Sequence, residues 1–120
     1  MIRDPVDERY GISASEWIAA VPFELPIDAV GLWQIVGPLK YAYFLSGRDL
    51  IFYVRKCLLL LFSHGAIPVI GDVDGTNDWV AKEGYGGTPE EMAESIIAEW
   101  IASGRDPDFG DVWFALPDRL

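Results

Sequence analysis

The sequence predicts an α+β domain in which about four helices pack on a two- or three-stranded antiparallel sheet. Three observations predict it. Two segments, beginning at Ser46 and at Thr88, carry helix-start signals followed by apolar residues at helical spacing. Two short runs, Ile67 to Ile70 and Asp111 to Leu116, are β-branched or aromatic and flank the second of those helices, which places them side by side in one small sheet. A chain of 120 residues, 51% of them hydrophobic, suffices for one core and one domain.

Each element follows from local chemistry. Residues 1–10 are rich in charge and expected to be frayed, and residues 11–120 form the single domain. Ser13 and Glu16 stand at the spacing of a capping box, starting a short helix through Trp17 to Val21 that Pro22 and Pro26 then stop. Asp28 begins a second helix over Ala29 to Val36, closed by Gly37-Pro38. Lys40 to Leu45 alternates Tyr41 and Tyr43 against Ala42 and Phe44 and reads as a strand. Ser46 and Asp49 make a second capping box, opening a helix that runs to about His64, with Gly65 at its left-handed end. Leu58 to Phe62 is apolar almost all round, so this helix should be central.

Ala66 to Val73 is a strand with Pro68 near its start. Gly71 to Gly87 holds five glycines, three aspartates and an asparagine, which is loop chemistry with Trp79 as one anchoring aromatic. Thr88-Pro89-Glu90-Glu91 then supplies an N-cap, a proline at the first helical position and a glutamate at the third. Met92, Ala93, Ile96, Ile97, Trp100 and Ile101 form one face, and Gly104 ends the helix. Pro117 stops the last strand.

Charge excludes one class of function. The net charge is −10, from 19 acids against 9 bases, which opposes a nucleic-acid footprint and discourages a winged-helix-like regulator. Residues 1–60 carry seven acids and six bases; residues 61–120 carry twelve acids and only Lys82, Arg105 and Arg119. The lone Cys57 fits a reducing, cytoplasmic setting, and the N-terminus has no apolar signal-peptide core. The apolar stretch from Cys57 to Gly71 is interrupted by Ser63, His64, Gly65 and Pro68, and falls short of the roughly 20 residues of a membrane span.

No assembled catalytic or metal set is evident, and no cofactor is implied. His64 is the only histidine and sits where an imidazolium complements a helix C-terminus. Cys57 lies among leucines and reads as packing. Asp72 as position 1 of a calcium loop would put Asp74 at 3, Asp78 at 7 and Glu83 at 12, but Val80 at 9 and Asn77 at the glycine position spoil the pattern. The carboxylates carry the partner-binding reading. Glu90, Glu94 and Glu99 lie off the apolar stripe with no lysine or arginine between them, and Asp72, Asp74 and Asp78 crowd one loop. These residues, with Trp79 as aromatic anchor, are expected to meet a basic protein.

Two resemblances bear on function. Asp72-Val-Asp74-Gly75-Thr76 after Ile67 to Ile70 resembles the first motif of the haloacid-dehalogenase-like phosphohydrolases. That resemblance implies Asp72 as nucleophile, Asp74 as acid/base and Mg²⁺ between them. Only 44 residues follow Thr76, they hold a single lysine, and Gly71 replaces the usual apolar residue, so the match is read as coincidental. The second resemblance covers about the second half of the chain. The Leu58 to Ile70 helix–glycine–strand unit, Tyr85-Gly-Gly-Thr-Pro-Glu-Glu, Ala98-Glu-Trp-Ile-Ala-Ser-Gly104 and Asp111-Val-Trp-Phe-Ala-Leu-Pro117 carry it. In style it resembles the small acidic immunity proteins of bacterial contact-dependent inhibition and polymorphic toxin systems. The resemblance implies a protein that binds a cognate toxin, often a basic nuclease, and occludes its active site.

Overall fold

Phe114 is fully buried on a strand that is paired on both sides. The computed structural model describes residues 4–71 and 79–120. Within them, β4 (Trp113–Ala115) lies between β1 (Val30–Gly31) and β2 (Ile67–Gly71), and β3 (Trp79–Ala81) adds to the far side of β2. All three pairings are antiparallel. The class is α+β, with four helices packed with this sheet: α1 (Ala14–Ala20), α2 (Leu32–Tyr41), α3 (Gly47–Ser63) and α4 (Pro89–Ser103). Among the described residues the sheet has four strands rather than two or three. The additions are β1, inside a stretch read as helix, and β3, inside a stretch read as loop.

Local capping explains α1 and α4. The Ser13 hydroxyl accepts from the Glu16 N–H at 3.1 Å and the Glu16 carboxylate accepts from the Ser13 N–H. Thr88 caps α4 by accepting from the Glu91 N–H at 3.1 Å, with Pro89 at the first position and Gly104 left-handed at the end. At α3 the capping box does not form. Gly47 takes φ +56°, which turns the chain at the first helical residue, and the Ser46 side chain accepts no capping hydrogen bond. The helix still ends at His64 and is central, packing against α1, α2 and α4.

The second helix departs from expectation at both ends. Asp28 does not start it: its carboxylate accepts from the Ala29 N–H at 2.8 Å, and Val30–Gly31 pairs with β4 instead. The helix begins at Leu32, continues through Gly37 and Pro38, and stops at Tyr41. Burial of Leu32, Ile35, Val36 and Leu39 on one face outweighs the one hydrogen bond that proline removes. The strand expected over Lys40 to Leu45 is therefore absent. Only its second half alternates in burial: Tyr41 and Ala42 are both exposed, whereas Tyr43 and Leu45 are buried and Phe44 is 79% exposed. A helix-terminating turn produces it: the Ala42 and Tyr43 N–H groups both donate to the Pro38 carbonyl, and Phe44 takes the left-handed conformation at φ +56°.

From Asp4 onward the N-terminal stretch carries contacts to Ser13, Ser15 and Tyr53. The Asp4 carboxylate accepts from the Ser15 N–H at 3.1 Å and from the Tyr53 hydroxyl at 3.0 Å, and Val6 forms a bridge with Ser13. Among the described residues no helix is long and apolar enough to cross a membrane.

The two faces of the sheet differ. Phe114 points into the main core with Leu58, Leu61, Phe62 and Ile96. Trp113 and Ala115, one residue to either side, point the other way as strand geometry requires. There they join Ala29, Val69, Ile67 and Trp79 in a second, smaller cluster.

Candidate functional site

The second cluster is a surface built from tryptophan laid over glycine. In the strand register Gly31 stands opposite Trp113, and Gly71 stands opposite Trp79. Directly opposed residues on a sheet face are close enough for a large ring to cover its partner. A Cβ at Gly31 would lie 2.7 Å from the Trp33 ring and 3.1 Å from the Trp113 ring, and one at Gly71 would lie 2.9 Å from Trp79. The bare glycines let the indoles lie down on the sheet. The rings also touch one another: Trp33 meets Trp113 edge to face at 6.2 Å between centroids, and Trp79 meets Trp113 tilted at 5.1 Å.

The outcome is a ladder, Trp33–Trp113–Trp79, running across the sheet. It closes over Val69 and Ala115, which are fully buried, while Trp33 stays 38% exposed and the other two are half-buried. The Trp113 Nε1–H donates to the Phe109 carbonyl at 2.9 Å, which fixes the central ring, and Phe109 itself is exposed. Trp79, anticipated as the aromatic anchor, is one end of this ladder. Trp33 and Trp113 were not anticipated. The signal for them was a glycine following a β-branched residue, in Val30-Gly31 and in Ile70-Gly71, which marks close approach to the backbone.

The carboxylates of α4 are less bare than their sequence implies. Arg55 reaches across from α3 to Glu94, its Nε donating to one oxygen and an Nη donating to the other at 3.3 Å. Glu99 accepts from the Tyr85 hydroxyl at 3.1 Å. Burial, and then the Glu99 charge, push the Tyr85 phenol well above its ordinary range. Glu90 and Glu91 are exposed and pair with no lysine or arginine among the described residues. Asp72, Asp74 and Asp78, with the Asp72–Thr76 motif, lie outside the described residues. Burial pushes the Cys57 thiol up to about 12, so it is no nucleophile near neutral pH.

A separate carboxylate holds the turn before β4. Asp111 takes a two-pronged contact from Arg105, 2.9 Å to each oxygen, and accepts from the Asp108 N–H at 2.8 Å. The Arg105 hydrogen bonds hold its carboxyl below the ordinary value of 3.8. A depressed folded pKa means stability that is present above pH 3.8 and is lost as pH falls through the folded value. Asp111→Asn is expected to cost about 1–2 kcal/mol at pH 7, at the lower side of charged hydrogen bonds because Arg105 is half exposed. Urea unfolding checks this: the gap between variant and parent should narrow as pH drops below 3.8. An equal gap at pH 7 and pH 3 would remove the ionic account.

No protein-family model, curated protein or solved structure matches this chain.

Proposed function

We propose that this chain is an acidic interaction protein of the immunity type, which binds a basic cognate toxin in the cytoplasm and neutralises it by covering the toxin's working surface. One observation carries the reading: the tryptophan ladder occupies the sheet face away from the main core, in a chain of net charge −10. Tryptophan is the residue type most enriched among side chains that anchor protein interfaces, and its ring face attracts guanidinium and ammonium groups. The charge supplies long-range attraction to a basic surface. Lys40, Arg55 and Arg105 are engaged by Asp106, Glu94, Asp108 and Asp111 in surface ion pairs, while Glu90 and Glu91 face solvent.

The reading divides the labour. Charge on α4 and on the Asp72–Asp78 segment steers the encounter, and the ladder supplies the desolvated contact that slows dissociation. The first test is the neighbouring reading frame. A large secreted protein or toxin fragment encoded immediately upstream supports the reading, and a metabolic operon counts against it. With that toxin fragment in hand, the association rate should fall steeply as salt rises from low to physiological. A rate insensitive to salt would sink the steering claim.

A further inference from the structure

A cavity of about 300 Å³ opens at the β1 edge of the sheet, between the end of α1 and the start of α2. Its walls are Trp17, Ala20, Val21, Ala29 and Val30, and its polar groups are Glu24, Asp28 and Gln34. Ala29, itself buried, belongs both to this wall and to the cluster beneath the tryptophan ladder. We infer that this cavity is a receptor for one arginine side chain of the basic partner, with the guanidinium held between the Glu24 and Asp28 carboxylates and the indole of Trp17.

Each wall has a reason to be there. A cavity with apolar sides and a few convergent polar groups is the usual form of a binding pocket, and this volume fits one long side chain. Both ionisable groups in the lining are carboxylates, and the lining contains no lysine or arginine. Among the described residues neither Glu24 nor Asp28 lies within ion-pair distance of a cation. One oxygen of Asp28 is engaged by the Ala29 N–H, which orients the carboxylate and leaves the second oxygen available. The Gln34 carbonyl oxygen is engaged by the Gly31 N–H at 2.8 Å, so that side chain is held as wall.

Arginine fits this lining better than lysine. Its stem packs along Ala20 and Val21, its plane stacks on an indole, and its fork offers several donors to two carboxylates. The segment that supplies both carboxylates is also restricted. Pro22 and Pro26 restrict the stretch that carries Glu24 and Asp28; Phe23 and Ile27 of that segment are each 72% exposed but do not line the cavity. A restricted segment loses little freedom on binding.

The inference rests on the proposed basic partner, and its test needs no partner. The full chain, ¹⁵N-labelled, is titrated with Nα-acetyl-arginine methylamide, with the lysine analogue and with the uncharged citrulline analogue. Saturable shifts are expected at Trp17, Glu24, Asp28 and Gln34 with the arginine probe, at least tenfold weaker with citrulline and severalfold weaker with lysine. E24Q and D28N together should weaken the arginine probe at least tenfold. These substitutions preserve shape on exposed side chains, and an otherwise unchanged amide spectrum checks that the fold persists.

Shifts spread evenly over Glu90, Glu91 and the other carboxylates, or no saturation at all, would overturn the site. Lysine binding as tightly as arginine would overturn its specificity. Toxin association that stays salt-dependent while the arginine probe fails removes the cavity and keeps the proposed function. A probe that binds in a protein encoded within a metabolic operon does the reverse.

Discussion

Phe114→Ala is expected to remove about 3–5 kcal/mol of stability, a large share of the roughly 5–15 kcal/mol that holds a domain of this kind. The side chain is fully buried in the central strand, opposite Val30 on one neighbour and Pro68 on the other. It meets Phe62 of α3 edge to face at 5.8 Å, so truncation empties the junction between the sheet and its central helix. The surroundings collapse poorly into such a void, because β4 is fixed by pairing on both sides. Phe114→Leu keeps most of the volume and should cost less, about 1–2 kcal/mol. Urea midpoints for the two variants decide the matter. Equal small losses would place the load elsewhere in the core.

What was legible in the sequence divides by range of interaction. Ser13 with Glu16 and Thr88 with Pro89 and Glu91 announce their helices because each cap is complete within four residues. The long central helix was legible from its apolar content, and β2 and β4 from their β-branched and aromatic runs. The strands β1 and β3 were not, because two or three residues carry no periodicity of their own. Val30–Gly31 is extended only because β4 pairs with it from more than 80 residues away. At α2 the error was one of weight. Leu32, Ile35, Val36 and Leu39 kept helical spacing past Pro38, and that spacing prevailed over the proline.

The candidate site divides in the same way. Counting carboxylates located the acidic half correctly as sequence, but Arg55 meets Glu94 and Tyr85 meets Glu99 through the packing of separate segments. Counting tryptophans gave five, without saying that three of them share one face. Their convergence depends on strand register, and register is set by the pairing of residues far apart. The cavity beside Trp17 has the same origin, since β1 must pair with β4 for Ala29 and Val30 to close its wall.

Gly31→Ala sets two effects against each other, and their magnitudes decide the sign. The backbone there is extended, at φ −87° and ψ 149°, which alanine adopts freely. Replacing a glycine at such a position ordinarily stabilises by about 0.4–1 kcal/mol through the unfolded chain. Against this, the new methyl would lie 2.7 Å from the Trp33 ring and 3.1 Å from the Trp113 ring. Trp33 can swing outward, since its outer side is exposed, but Trp113 is held by its bond to the Phe109 carbonyl. Overpacking of this kind costs about 1–3 kcal/mol, so a net loss of about 1–2 kcal/mol is expected. The double variant with Trp33→Ala separates the two rings. If Trp33 is the main obstacle, Gly31→Ala becomes neutral or stabilising in that background; if Trp113 is, the loss persists. A gain in stability from Gly31→Ala alone would mean that the indoles do not rest on the glycine. The ladder would then lose the close backbone contact that holds its rings flat for a partner.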